Sequence, residues 1–214
     1  MKRVKHMLSA ADHDRVAKAI GAAEKRTSGE IYCVLAHRSD AYFYPAALMA
    51  AAIVLVLGFL AAVVLKALWI TVDPLTIPAA QIMTFLLIAV LFACYPALRV
   101  SLMPWPLRYR RAHDNAQKQF LAHNIHMTQN RTGVLIFVSL AERYVEVVAD
   151  NEINAKVEQA VWDKTVDILL DHAGRGALAE GFVCAVEQVG EVLTTHFPAG
   201  SSNPNEIEDR LTEI

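Results

Sequence analysis

Residues 43–65 read FYPAALMAAAIVLVLGFLAAVVL and contain no charged side chain; residues 79–98 read AAQIMTFLLIAVLFACYPAL, with Gln81 and Thr84 as the clearly polar members. A bilayer's hydrocarbon core is about 30 Å thick and needs about 20 helical residues, so each run is long enough to cross it. The linker between the runs is too short for a domain. The two predicted spans therefore form a hairpin, and the polar segments on either side of it lie on one face of the membrane. Charge sets the orientation. Arg38 precedes the first run, and Arg99, Arg108, Arg110, Arg111 and Lys118 follow the second, against Lys66 and Asp73 in the turn. The positive-inside bias predicts cytoplasmic tails. Trp105 and the collar Arg108, Arg110 and Arg111 are candidates for contact with the membrane surface, where indole rings and basic groups meet headgroups. The hairpin as a whole is expected over 42–104.

Outside the runs the composition is that of an ordinary soluble domain. The net charge is −2 and the pI near 6.4. A domain without a basic field is a poor partner for nucleic acid, so none is expected. Residues 1–5 are basic but no apolar segment follows them, which argues against a cleaved signal peptide. The three cysteines, Cys33, Cys94 and Cys184, are widely spaced. They fit neither a zinc site nor a disulfide framework.

Ser9-Ala10-Ala11-Asp12 predicts a capped helix start, with Val16, Ile20 and Ala23 at helical spacing behind it. A strand follows over 30–37, with Ile31, Cys33 and Leu35 on one face and Tyr32, Val34 and Ala36 on the other. Both faces are apolar, so helices should cover both. Gly58 and Ala62 form a small pair that would let the hairpin helices approach, and Pro104-Trp105-Pro106 is expected to end the second helix. A helix over 112–127 leads to a buried strand over 134–140. A tight turn at 141–142 then joins it to an antiparallel partner over 143–149. Residues 150–155 read as a polar loop. Two helices follow, the second with apolar residues from Leu178 to Leu193 at a clean helical period. The stretch 198–214, rich in Ser, Asn, Pro and acidic residues, reads as a flexible tail.

Several of these segments resemble the TPM domain, a family named for a thylakoid lumen protein, a photosystem II protein and a worm receptor modulator. The resemblance lies in Leu8-Ser9-Ala10, Thr27-Ser28-Gly29-Glu30-Ile31, Gly133-Val134-Leu135-Ile136-Phe137-Val138-Ser139, Arg143-Tyr144-Val145-Glu146-Val147 and Leu178-Ala179-Glu180-Gly181-Phe182. Asn205-Glu206-Ile207 and Asp209-Arg210-Leu211 are similar to a bacterial branch of membrane proteins in which a hairpin interrupts the domain. The resemblance implies an α/β fold, a three-layer sandwich with a short mixed sheet. Its first part is 1–41 and its second 105–197. Strand 30–37, helix 112–127 and strand 134–140 then make a β-α-β unit with parallel strands. Arg38 to Asp40 and the turn 141–143 should lie at one pole, with Arg131 and the 150–154 loop at the other.

In relatives the loop after the second hairpin strand reads Gly-Tyr-Gly-Leu-Glu-Gly, and the resemblance implies phosphatase activity or divalent-cation binding in some of them. Here that loop is Asp150-Asn151-Glu152-Ile153-Asn154-Ala155. It lacks the glycines that a phosphate-cradling backbone nest needs. Asp150 and Glu152 remain candidate ligands for a divalent cation, without a full ligand set. No catalytic residue and no resident cofactor are predicted. Among the histidines, His123 and His126 could face one way but carry no ligand pattern, and Ser139 has no nucleophile elbow around it. Three functions stay open. One is a non-catalytic binding or complex-organising module on a membrane anchor, with the bilayer and a protein as partners. The others are a phosphatase or metal-dependent regulator using the 150–154 loop, and a subunit recognised through its hairpin.

Overall fold

The computed structural model describes residues 8–200 and 203–214; the basic opening stretch 1–5 lies outside them. The chain forms two compact units, one made of the residues up to Ser39 and from Tyr109 onward, the other of Asp40–Arg108. The first unit is an α/β sandwich around a four-stranded mixed sheet in the order β3, β2, β1 and β4 (Leu211–Glu213). Strands β1 (Glu30–Ala36) and β2 (Gly133–Ser139) are parallel, and β3 (Tyr144–Ala149) runs antiparallel to β2. The β-α-β unit with an interrupted first connection is thus present.

Every residue of β1 and β2 is buried, which is why neither strand shows a polar face. Ile31, Cys33, Leu35, Val134, Ile136 and Val138 pack into one core with helices α1 (Ala10–Glu24), α7 (Gln159–Gly174) and α8 (Leu178–His196). Tyr32, Val34, Leu135 and Phe137 pack on the other face, against Ala112, Ala116 and Phe120 of helix α5 (Trp105–Ala122) and Ile125 of a 3₁₀ turn. The split follows the two-residue alternation of side chains along a strand. Helix α1 starts with a complete capping box: the Asp12 backbone N–H donates to Ser9 Oγ, and the Ser9 N–H donates to Asp12 Oδ2.

The poles are as expected within this unit. At the C-terminal end of β1, the Leu140 N–H donates to the Ala36 carbonyl and the Ala141 N–H to that of His37. Buried Glu142 accepts from the Ser39 N–H and from the Ser139 hydroxyl. At the other end the Asp150 N–H donates to the Gly133 carbonyl at 3.0 Å.

Two sequence expectations change here. The stretch from Pro198 is not all free tail: Leu211–Glu213 forms β4, which adds in parallel to β1. Three residues are too few to show a period, and the strand exists because β1 offers an open edge. The 150–155 segment is not a loop but a helical turn, α6 (Asn151–Asn154), capped by Asp150.

The second unit contains helices α2 (Phe43–Ala67), α3 (Thr76–Cys94) and α4 (Pro96–Leu102). The helix through the second apolar run ends at Cys94, earlier than Pro104-Trp105-Pro106. Tyr95 leaves helical geometry at φ −125°, ψ 80° because the proline after it disfavours the α conformation. Helices α2 and α3 meet at Gly58, where an added Cβ would lie 1.9 Å from Gln81 Nε2. That amide donates to the Val54 carbonyl. The close approach at Gly58 thus admits the polar side chain of Gln81 rather than a second small residue.

Candidate functional site

The two carboxylates singled out by the sequence sit in different surroundings, one buried and one exposed. Asp150 has extended geometry, and its Oδ1 accepts from the Asn151 N–H at 2.6 Å, the ordinary task of an N-cap. It is 6% exposed, and its Oδ2 has no hydrogen-bond partner. Glu152 is exposed on the helical turn. Among the described residues no group of three or more His, Cys, Asp or Glu side chains is placed to hold a metal ion. No residue from Asp150 to Ala155 has positive φ, so the backbone has no left-handed step from which a phosphate nest is built. Ile153 is fully buried. Packing it against the core is what winds this segment into a turn.

Asp150 instead closes one end of a groove of about 710 Å³ that runs along β3. Strand β3 is an edge of the sheet, so one side of its backbone pairs with β2 and the other faces the groove. Tyr109 and Phe120 of α5 line one wall, and Trp162 and Val166 of α7 the other. Inside it, Glu146 is held by two groups: His113 Nδ1 lies 2.9 Å from Oε1, and the Tyr144 hydroxyl donates to Oε2 at 2.9 Å. Burial pushes the Glu146 carboxyl up, while Tyr144 and His113 pull it down. The Tyr144 phenol is pushed well above its usual range, by burial first and by Glu146 second. A phenol in that state donates a hydrogen bond and is a poor base. Tyr109 packs edge-on against it at 5.0 Å. The trio is a satisfied polar brace between α5 and β3.

The histidines separate. His123 stacks on Tyr32 at 4.5 Å, and burial followed by the nearby Arg210 charge pushes its pKa down. His126 lines the groove, and its Nδ1 is buried without a partner. Trp162, 2% exposed, also leaves its indole N–H unpartnered. The sequence weighed His126 only beside His123 as a metal ligand, and Trp162 not at all. A lone tryptophan at helical spacing reads as core, and only the fold shows that its polar edge has nothing to bond. Trp105, Arg110 and Arg111 are exposed on α5, and Arg108 is half-buried.

A second polar cluster was equally unforeseen. The Ile31 N–H donates to Glu24 Oε1 at 2.7 Å, and the Ile207 N–H to Glu30 Oε2 at 3.1 Å. Asn203 donates to the Glu24 and Thr27 carbonyls, and Arg210 Nε to the Tyr32 hydroxyl. Burial pushes the Glu24 carboxyl up to about 9, beside Glu30 and Asp209. These residues seat the tail that carries β4.

Residues 101–192 match the family model of the TPM domain. The matched stretch takes in the groove, from α5 through most of α8, but not α1 and β1, which precede the 40–108 unit and complete the sheet in space. The fold is also similar to the NMR structure of BA42 protein from the psychrophilic bacterium Bizionia argentinensis. The identity is 19%, the coverage 100% of this chain and 99% of that one, and the TM-score 0.61. At that identity the likeness speaks for the fold alone. No curated protein sequence matches the chain.

Proposed function

We propose that this TPM-domain chain is a membrane-anchored binding module: the 40–108 unit holds the α/β unit at the cytoplasmic face of a bacterial inner membrane, where it binds or organises another protein. The observation that carries this reading is the exposure of α2 and α3. Of the most apolar 18-residue stretch of each helix, 11% and 6% respectively is buried. Leu55, Leu57, Phe59, Leu86 and Leu87 are all more than half exposed. A soluble domain rarely leaves so large an apolar surface open to water, and helices apolar all round are either core or membrane spans. At 1.5 Å per residue the helices are about 37 and 28 Å long, close to the thickness of a hydrocarbon core. The basic residues after the second run support the cytoplasmic side, with Trp105, Arg108, Arg110 and Arg111 at the headgroups.

A binding role suits the α/β unit better than a phosphatase role. Asp150 is engaged in capping a helical turn, Glu152 is exposed, and the Tyr144–Glu146–His113 trio is satisfied internally. Alkaline carbonate extraction of cells expressing the chain tests the anchor. The chain is expected in the membrane pellet, and release into the supernatant overturns the reading. A phosphatase assay with and without Mg²⁺ or Ca²⁺ tests the module. Turnover that Asp150→Ala abolishes would replace binding with catalysis.

A further inference from the structure

We propose that the free edge of β3 takes up an extended peptide segment bearing a Lys or Arg by strand addition, with Asp150 receiving the basic side chain. This deepens the binding-module reading and rests on it.

The first support is the direction of the backbone. In an antiparallel pair, hydrogen-bonded and non-bonded positions alternate. The Asp150 N–H donates to the Gly133 carbonyl, and the register pairs Leu135 with Val148 and Phe137 with Glu146. Tyr144, Glu146 and Val148 therefore turn their backbone groups toward β2, and Val145, Val147 and Ala149 turn theirs outward. The Ala149 carbonyl agrees, because it accepts from the Asn154 side-chain amide at 2.8 Å rather than from the sheet. Natural edges are usually blunted by proline, lysine or a bulge. This one has none: residues 144–149 read YVEVVA and the pairing with β2 is unbroken. Its single charge, Glu146, is turned to Tyr144 and His113.

The second support is chemical. Asp150 and Trp162 are each more than nine-tenths buried, both line the groove, and each has a polar atom without a partner, Oδ2 and Nε1. Leaving such groups unmade is costly, and a ligand that reaches them recovers the cost. Glu146, Asp150 and Asp163 line the groove against one arginine, Arg131. The complementary partner is basic. The sheet already has an added strand of this kind at its other edge, where Leu211–Glu213 lies along β1. Strand addition takes affinity from the backbone and specificity from alternate side chains, which here would meet the α5 and α7 walls.

The test uses the full chain in nanodiscs, screened against a bead-displayed library of random octapeptides. Enriched peptides should alternate β-branched residues and carry Lys or Arg. Val147→Pro removes an outward N–H that β2 does not use, and proline is tolerated at such edge positions. Asp150→Asn keeps an N-cap and removes the charge. Affinity for the leading peptide should fall about ten-fold or more with either variant, and likewise when alternate backbone nitrogens of the peptide are methylated. A melting curve shows which variants fold, so at least one is read on a native chain. Absence of enrichment over a folded Val147→Pro chain, undiminished binding of the methylated peptide, or enrichment of acidic peptides each overturns the proposal. So does a dimer that Val147→Pro converts to monomer without any peptide captured, because the edge then serves a second copy. If carbonate releases the chain while basic peptides still bind, the anchor fails and the groove stands.

Discussion

Helices α8 and α2 are both rich in apolar residues, yet they use them in opposite ways. Helix α8 places Phe182, Ala185, Val186, Val189 and Leu193 on one stripe, all fully buried, and leaves Glu187 and Glu191 exposed. Helix α2 buries Ala46, Ala50 and Val54 and exposes leucine, valine and phenylalanine around the rest of its surface. The same kinds of side chain are thus buried in one helix and left exposed in the other. In α8, water on one side and protein on the other impose a period of 3.6 residues. In α2 no period is needed if the surroundings are apolar on every side.

Substitutions that should behave oppositely in the two units test this contrast. The largest effect is expected at Phe182, where alanine should cost about 3–5 kcal/mol in denaturant unfolding of the full chain. Leu57→Ala, at a site 58% exposed, should change the stability of the α/β unit by less than about 0.5 kcal/mol. A comparable loss at both sites would mean that α2 is packed as core and would break the comparison. Leu57→Arg probes the surroundings themselves. Arginine at the centre of a span costs about 3 kcal/mol of insertion, so the chain should partly leave the carbonate-resistant pellet. A soluble, well-folded variant made in higher yield would argue against the anchor.

Glycine sharpens the contrast further. An added Cβ at Gly133 would lie 2.2 Å from the Ile125 backbone carbonyl oxygen. Gly133→Ala should therefore cost about 1–3 kcal/mol, read as a lower denaturation midpoint. At Gly58 the obstructing atom is the end of the flexible Gln81 side chain, which can swing away. Gly58→Ala should cost less, about 1 kcal/mol for the Gln81 to Val54 hydrogen bond. Equal losses at the two glycines would show that the hairpin is packed as rigidly as the sheet.

The last effect is a slope. Fold burial raises the Glu24 carboxyl from an ordinary 4.5 to about 9. Between those values the folded chain binds more protons than the unfolded one, so stability is lost as pH rises through that window. Melting temperature should fall from pH 5 to pH 9. Glu24→Gln, neutral throughout and still able to accept from the Ile31 N–H, should flatten that slope. An unchanged slope would place the pH dependence elsewhere, in the other buried carboxyls.

Much of the sheet was legible because its signals are local. The alternation in residues 30–36, the continuous apolar run of β2 and the Ser9–Asp12 cap each depend on neighbours a few positions away. The break at Tyr95 was also written locally, in the proline that follows it, but was masked by the apolar run that continues past it. The candidate site was much less legible. Asp150 was found as a carboxylate, but its burial as the cap of α6, against the exposure of Glu152, came only with the fold. Trp162 carried no signal and His126 only a weak one beside His123, since nothing near them in the chain says that their nitrogens lack partners.

The sequence by itself determined where apolar side chains fall: residues 30–36 and 133–139 on both faces, α8 on one stripe, α2 and α3 all round. Those are consequences of side-chain period against backbone geometry, and period is a property of the chain alone. The tertiary structure decided what the polar residues do. Glu30 meets the Ile207 N–H across 177 positions, Tyr32 meets Thr212 across 180, and Asn203 caps the end of α1 across 179. It also decided that β3 is an edge and β1 is not, because an edge is defined by which strand fails to arrive. No local pattern encodes that, and it is the reason the groove beside β3 comes from the fold alone.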